Sequence, residues 1–142
     1  MIYVSRYGNS ELLNGKYSCI AISVGKPKWK TGYNLDGEIK DLAPYGLLKI
    51  TDNELFIKKY KEKLDSCGVE RIKSNMRLFQ GDKPIVLLCH EDIRNGDSWC
   101  HRTVFAEWWK EKTGEDIPEL LDPSMVKAKK NSAPIYKENL LF

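Results

Sequence analysis

Apolar positions recur along this chain at two spacings, alternating or unbroken in some stretches and stepping by three and four in others, and the switches between them give an order of elements. Met1 to Tyr7 alternates and predicts an edge strand, closed by a turn at Gly8-Asn9. Tyr17 to Val24 is rich in β-branched residues and bounded by Gly15 and Gly25, which predicts a strand inside a sheet. Ile85-Val86-Leu87-Leu88-Cys89 follows Lys83-Pro84 as an unbroken apolar run, the pattern of a central parallel strand buried on both faces.

Helical spacing begins after Thr51-Asp52-Asn53, which can cap it, and places Phe56, Tyr60 and Leu64 on one face before Gly68. Val69, Ile72, Met76 and Phe79 mark a second helix ending at Gly81. Val104, Phe105, Trp108 and Trp109 mark a third ending near Gly114, with one of the adjacent tryptophans expected at the margin of the core or against the C-terminal tail. A short strand is expected at Ile117 to Leu121. Gly25 to Tyr45 has no regular period, and loops of that length are commonly functional.

These elements predict a three-layer α/β fold, Rossmann-like, with a short, mostly parallel sheet flanked by helices. Residues 1–121 form a single domain, and 122–142, with Pro123, Pro134 and the basic run Lys127 to Lys130, form a C-terminal extension packed on it or loosely attached, docked by Tyr136 and Leu140 to Phe142.

Composition excludes some classes. With 42% hydrophobic and 30% charged residues the chain is neither disordered nor membrane-like, and its net charge of +3 is too mild to specify a nucleic-acid partner by itself. No apolar run approaches a membrane span and no signal-peptide profile opens the chain, so a cytoplasmic location is expected, with Cys19, Cys67, Cys89 and Cys100 held as thiols. Cys19 and Cys67 lie in apolar patterns as core fillers.

The candidate chemistry sits where both histidines follow a cysteine, in Cys89-His90-Glu91 and Cys100-His101-Arg102, on either side of a polar loop. The first triplet ends the central strand and the second opens a helix. That edge of a parallel sheet is where ligands bind, and free N–H groups at a helix start favour anions and thiolates. Alternation places Cys89 and Glu91 on one face and His90 on the other.

Ile22 to Trp29, Leu42-Ala43-Pro44, Leu87-Leu88-Cys89-His90-Glu91 and Cys100-His101-Arg102 together resemble the family called domain of unknown function 488. That family has a strand ending in Leu-Leu-Cys-aromatic-Glu, a variable loop, Cys-His-Arg opening a helix, and an acidic residue soon after, here Glu119. The resemblance covers roughly residues 17 to 121. His90 departs from the family's aromatic, and the insert from Ile93 to Trp99 is longer. The resemblance implies an α/β fold and a shared pocket, and no particular activity.

On these grounds Cys89, Glu91, His101 and Arg102 are the catalytic candidates. Ser23, Lys26, Pro27, Trp29, Pro44, Tyr45, His90, Cys100 and Glu119 are the binding candidates. In one reading Cys89 is a nucleophile activated by His101 or the helix end, with Arg102 gripping an anionic group. In another, Lys26-Pro27-Lys28-Trp29-Lys30 interleaves cations with an indole to take a nucleotide or nucleic acid, the alternative being a solvated lysine cluster with Trp29 in the core. A third uses Cys89, His90, Glu91, Cys100 and His101 for zinc or iron, although no pair has chelating spacing, and no metal or cofactor is assigned. A fourth makes the polar cluster structural in an interaction module, with His101 bonded to Glu91 or Glu119. The oligomeric state is open. An enzyme or binder predicts Arg102 and Lys26 converging on an open pocket. A brace predicts them buried in mutual hydrogen bonds.

Overall fold

The computed structural model describes residues 1–90 and 100–123. Four strands, β1 (Ile2–Arg6), β2 (Ser18–Ala21), β3 (Gly37–Glu38) and β4 (Ile85–Cys89), form an all-parallel sheet in the order β1-β4-β2-β3. The unbroken apolar run thus occupies an interior position, every residue of β4 being buried. Its register pairs Arg6 with Cys89 and Ala21 with Leu88, so the carboxyl ends of three strands meet at one edge.

Three helices follow the predicted periods: α1 (Asn53–Cys67), α2 (Val69–Arg77) and α3 (His101–Thr113). Asp52 caps α1 by accepting from the N–H groups of Glu54 and Leu55, and Phe56, Tyr60 and Leu64 fill its inward stripe. Gly114 ends α3 in a left-handed conformation, its N–H bonded to the Lys110 carbonyl. All three helices pack on the face carrying Ile20, Ile85, Leu87 and Cys89. The opposite face, with Cys19, Ala21, Val86 and Leu88, is covered by Tyr7, Leu12 of a 3-10 turn (Ser10–Asn14), Leu120, and the partly buried Tyr33 and Leu35. The layers are therefore unequal, helices on one side and a turn with an aromatic loop on the other. No helix among the described residues is long and apolar enough to cross a membrane.

Several local expectations are refined. The stretch 25–45 contains β3 and a 3-10 turn (Lys40–Leu42), since Ile39 N–H bonds the Ala21 carbonyl. At Gly37 a Cβ would land on the Phe79 ring. Gly37→Ala is accordingly expected to cost about 1–3 kcal/mol, the usual cost of overpacking, measured as a lowered urea midpoint at constant m. The expected strand at Ile117 to Leu121 is a single parallel bridge from Glu119 to Val4, with Leu120 N–H donating to the Val4 carbonyl. Both tryptophans are buried, Trp108 donating to Asp65 of α1 and Trp109 to Glu115, because neighbours flank α3 on both sides. Asp122 is buried and paired with Arg6 at 2.6 Å. Lys127 to Lys130, Tyr136 and Leu140 to Phe142 lie outside the described residues.

Candidate functional site

The two triplets meet. β4 delivers Cys89 to the helical face of the sheet, and α3 begins beside it, so that the Sγ atoms of Cys89 and Cys100 are joined in a disulfide between Cα atoms 7.4 Å apart. Two separate thiols were expected from the inferred compartment. The structure instead brings together two residues that local sequence spacing does not pair, because a strand end and a helix start converge.

Arg102 does not reach for an incoming anion. Its side chain is fully buried, Nε and Nη2 donate to the Glu119 carboxylate at 3.0 and 2.9 Å, and Nη1 donates to Cys89 Sγ at 2.9 Å. Among the described residues these bonds tie α3 to β4 and to the segment after α3, where an arginine open to an anion was expected. Glu119 is committed to these bonds. Burial pushes its carboxyl above the ordinary value, while Arg102 opposes the rise. Glu91, expected beside Cys89, lies outside the described residues.

His101 is buried and its Nε2 lies 2.7 Å from the Ile22 carbonyl oxygen, in place of a bond to Glu119, while the other expected partner, Glu91, lies outside the described residues. A carbonyl only accepts, so Nε2 carries the proton when the ring is neutral and Nδ1 holds the lone pair. Nδ1 faces Cys100 Sγ at 3.6 Å. The same logic orders the neighbouring wall. Ser23 Oγ donates to the Gly25 carbonyl at 2.6 Å, leaving Tyr7 to donate to Ser23 at 2.6 Å. Desolvation raises the pKa of the Tyr7 hydroxyl, in keeping with a neutral donor. His90 turns to the opposite face from Cys89, as alternation requires, and its Nε2 donates to Gly25 O at 2.6 Å beside the Tyr7 ring.

Between these groups lies a pocket of about 350 Å³, lined by Ser23, Val24, Gly25, Pro44, Leu48, Ile50, Phe56, His90, Cys100 and His101. It sits at the carboxyl ends of β2 and β4, where it was expected. Ser23, Pro44, His90, Cys100 and His101 belong to both the predicted and the observed set. Of the two cysteines, Cys100 lines the pocket and Cys89 does not. Leu48, Ile50 and Phe56 form an apolar wall that sequence reading missed. Phe56 carried a helix-core signal only, and Leu48 and Ile50 lie in a stretch without period.

Lys26, Lys28, Trp29 and Lys30 are exposed, Trp29 by 51%, so the indole is on the surface and the core placement is corrected. Pro27 is half-buried between them. They follow directly on Gly25 but do not line the pocket. Tyr45 is also exposed, with Lys63 Nζ 5.4 Å from its ring centroid. Lys26 and Arg102 therefore do not converge.

Cys89, Cys100 and His101 offer three metal-capable atoms within 4.8 Å of one another, all on buried residues. No protein-family model, curated protein or solved structure matches this chain.

Proposed function

We propose that the chain is a member of the domain of unknown function 488 family and that its pocket performs thiol exchange on a small anionic disulfide. Cys100 is the attacking thiol, His101 accepts its proton, and Cys89 resolves the intermediate. The observation that carries this reading is the Nε2–H of His101 committed to the Ile22 carbonyl, which fixes the tautomer with Nδ1 turned to Cys100. Family membership rests on the quoted motifs, and the meeting of Cys89, Cys100, His101, Arg102 and Glu119 supports it.

The exchange balances without a further oxidant. Cys100 thiolate attacks one sulfur of the substrate disulfide, a Cys100–substrate bond forms, and the other half leaves as a thiolate that takes the proton held by His101. Cys89, as thiolate against the Arg102 guanidinium, then attacks Cys100 Sγ. The second half leaves as a thiolate and takes up from water the proton that Cys89 released on ionising, and the two cysteines end joined as they are in the structure. The thiol pair is oxidised and the substrate disulfide is reduced to two thiols. Anion preference is supported by a described lining that contains no carboxylate, and by Lys26 immediately after Gly25. The size of the pocket and the near-complete burial of both cysteines favour a small substrate over a protein disulfide.

The test uses the reduced full chain with oxidised glutathione. The wild type is expected to release two glutathione thiols per chain and to form the Cys89–Cys100 bond, located by peptide mass. Cys89→Ser should stop at a glutathione adduct on Cys100, and Cys100→Ser should form no adduct at the pocket. An adduct confined to Cys19 or Cys67, or unchanged exchange in Cys100→Ser, would overturn the proposal. Neutral hydroxyethyl disulfide reacting as fast as oxidised glutathione would remove its anionic part.

A further inference from the structure

We infer that, when the two cysteines are reduced, Cys89 Sγ, Cys100 Sγ and His101 Nδ1 form a binding site for one divalent cation of the zinc class. This goes beyond thiol exchange: the same sulfurs serve either as an exchanging pair or as ligands, and the two states exclude each other.

The donor set has the right chemistry. Two thiolates and an imidazole suit a borderline-soft ion, and three such atoms already lie within 4.8 Å of one another. With the pair reduced, a Cα separation of 7.4 Å suits two thiolates converging on one ion through bonds of about 2.3 Å.

The surrounding groups are those a metal centre requires. A ligating histidine commonly donates its second N–H to a carbonyl, which fixes both the tautomer and the ring orientation. His101 does this toward Ile22, and its Nδ1 is the nitrogen turned to the sulfur. Packing holds the ring further, since Tyr60 meets it edge-on with centroids 5.5 Å apart. Arg102 Nη1 donates to Cys89 Sγ at 2.9 Å, a bond that a metal-bound thiolate accepts. One divalent ion with two thiolates is neutral, and Arg102 is paired with Glu119 among the described residues.

Cys100 and His101 both line the pocket, so a fourth coordination position would face it. Among the described residues the set is three protein ligands beside a cavity, and three ligands with an open position is the arrangement of a reactive metal site, whereas a closed set of four is structural. The ion competes with protons for these donors, making affinity rise with pH.

The experiment is an anaerobic titration of the reduced full chain with Co²⁺ alone. One equivalent is expected to produce a near-ultraviolet thiolate-to-cobalt band, release at least one proton, and be displaced by one equivalent of Zn²⁺. Cys89→Ser and His101→Ala should each lose most of the band. X-ray absorption of the wild-type zinc form should find two sulfur ligands and one nitrogen ligand, which keeps the test valid if a variant fails to fold. No band in a protein whose cysteines all titrate as free thiols would overturn the inference, as would a folded His101→Ala variant with an undiminished band. Metal-free exchange with glutathione is scored separately, so either reading can fail while the other stands.

Discussion

Arg102→Met is expected to destabilise the fold by about 3 kcal/mol, read as a lower urea midpoint, while Arg102→Met combined with Glu119→Leu recovers to within about 1 kcal/mol of wild type. Arg102 is fully buried, and among the described residues its guanidinium donates to Glu119 and to the Cys89 sulfur. Breaking a buried pair leaves one charge uncompensated, at about 3–5 kcal/mol. The lower end applies because the Glu119 side chain keeps 27% exposure and so some hydration. Replacing both charges with apolar groups removes that residual charge. The sign with pH follows from Glu119, whose carboxyl is raised above its ordinary 4.5 by burial and held back by Arg102. Without Arg102 the carboxyl rises further. A raised carboxyl contributes stability that is complete below its unfolded pKa and is lost as pH climbs through its folded value. The deficit of the single variant should therefore be small near pH 4 and largest at neutral pH. A deficit independent of pH would mean that Arg102 acts through packing alone.

This brace also marks what the sequence could and could not disclose. β4 and α3 were legible because an unbroken apolar run and a clean three-to-four step are enforced by burial on both faces of a strand and one face of a helix. The position of the pocket followed from parallel strands sharing a carboxyl edge. The direction of Arg102 did not follow. An arginine in the first turn of a helix can point out to a ligand or in to a partner, and the choice depends on where Glu119 is carried after α3, which is set by one bridge to Val4 in β1. Which of the two cysteines lines the cavity was not legible for a similar reason. Alternation correctly separated Cys89 from His90, but only the approach of α3 decides that Cys100 and not Cys89 lines the cavity. Trp29 was ambiguous because an indole among lysines satisfies a core edge and a surface equally well in sequence.

His101→Gln is expected to slow exchange with oxidised glutathione about thirtyfold at pH 7 while leaving the fold intact, and the deficit should close as pH approaches 9. Glutamine can still donate a side-chain N–H to the Ile22 carbonyl, so the buried acceptor that His101 satisfies keeps a partner. What it cannot do is take a proton from Cys100 in place of Nδ1. An unassisted thiol titrates near 8.5, so at pH 7 only about one molecule in thirty is a thiolate, and the rate falls by that factor if the wild-type histidine keeps the attacking sulfur ionised. Raising the pH ionises the thiol without help, and the two proteins should then converge. His101→Leu is expected to differ. It removes the base and leaves the Ile22 oxygen without its partner, costing about 1–3 kcal/mol of stability in addition. The comparison separates chemistry from architecture. A base is replaced by hydroxide in a pH-dependent way, whereas a bracing residue would give a deficit that is the same at pH 7 and pH 9. Equal rates for wild type and His101→Gln across that range would remove His101 from the exchange step and leave its place in the metal site as the remaining reason for its orientation.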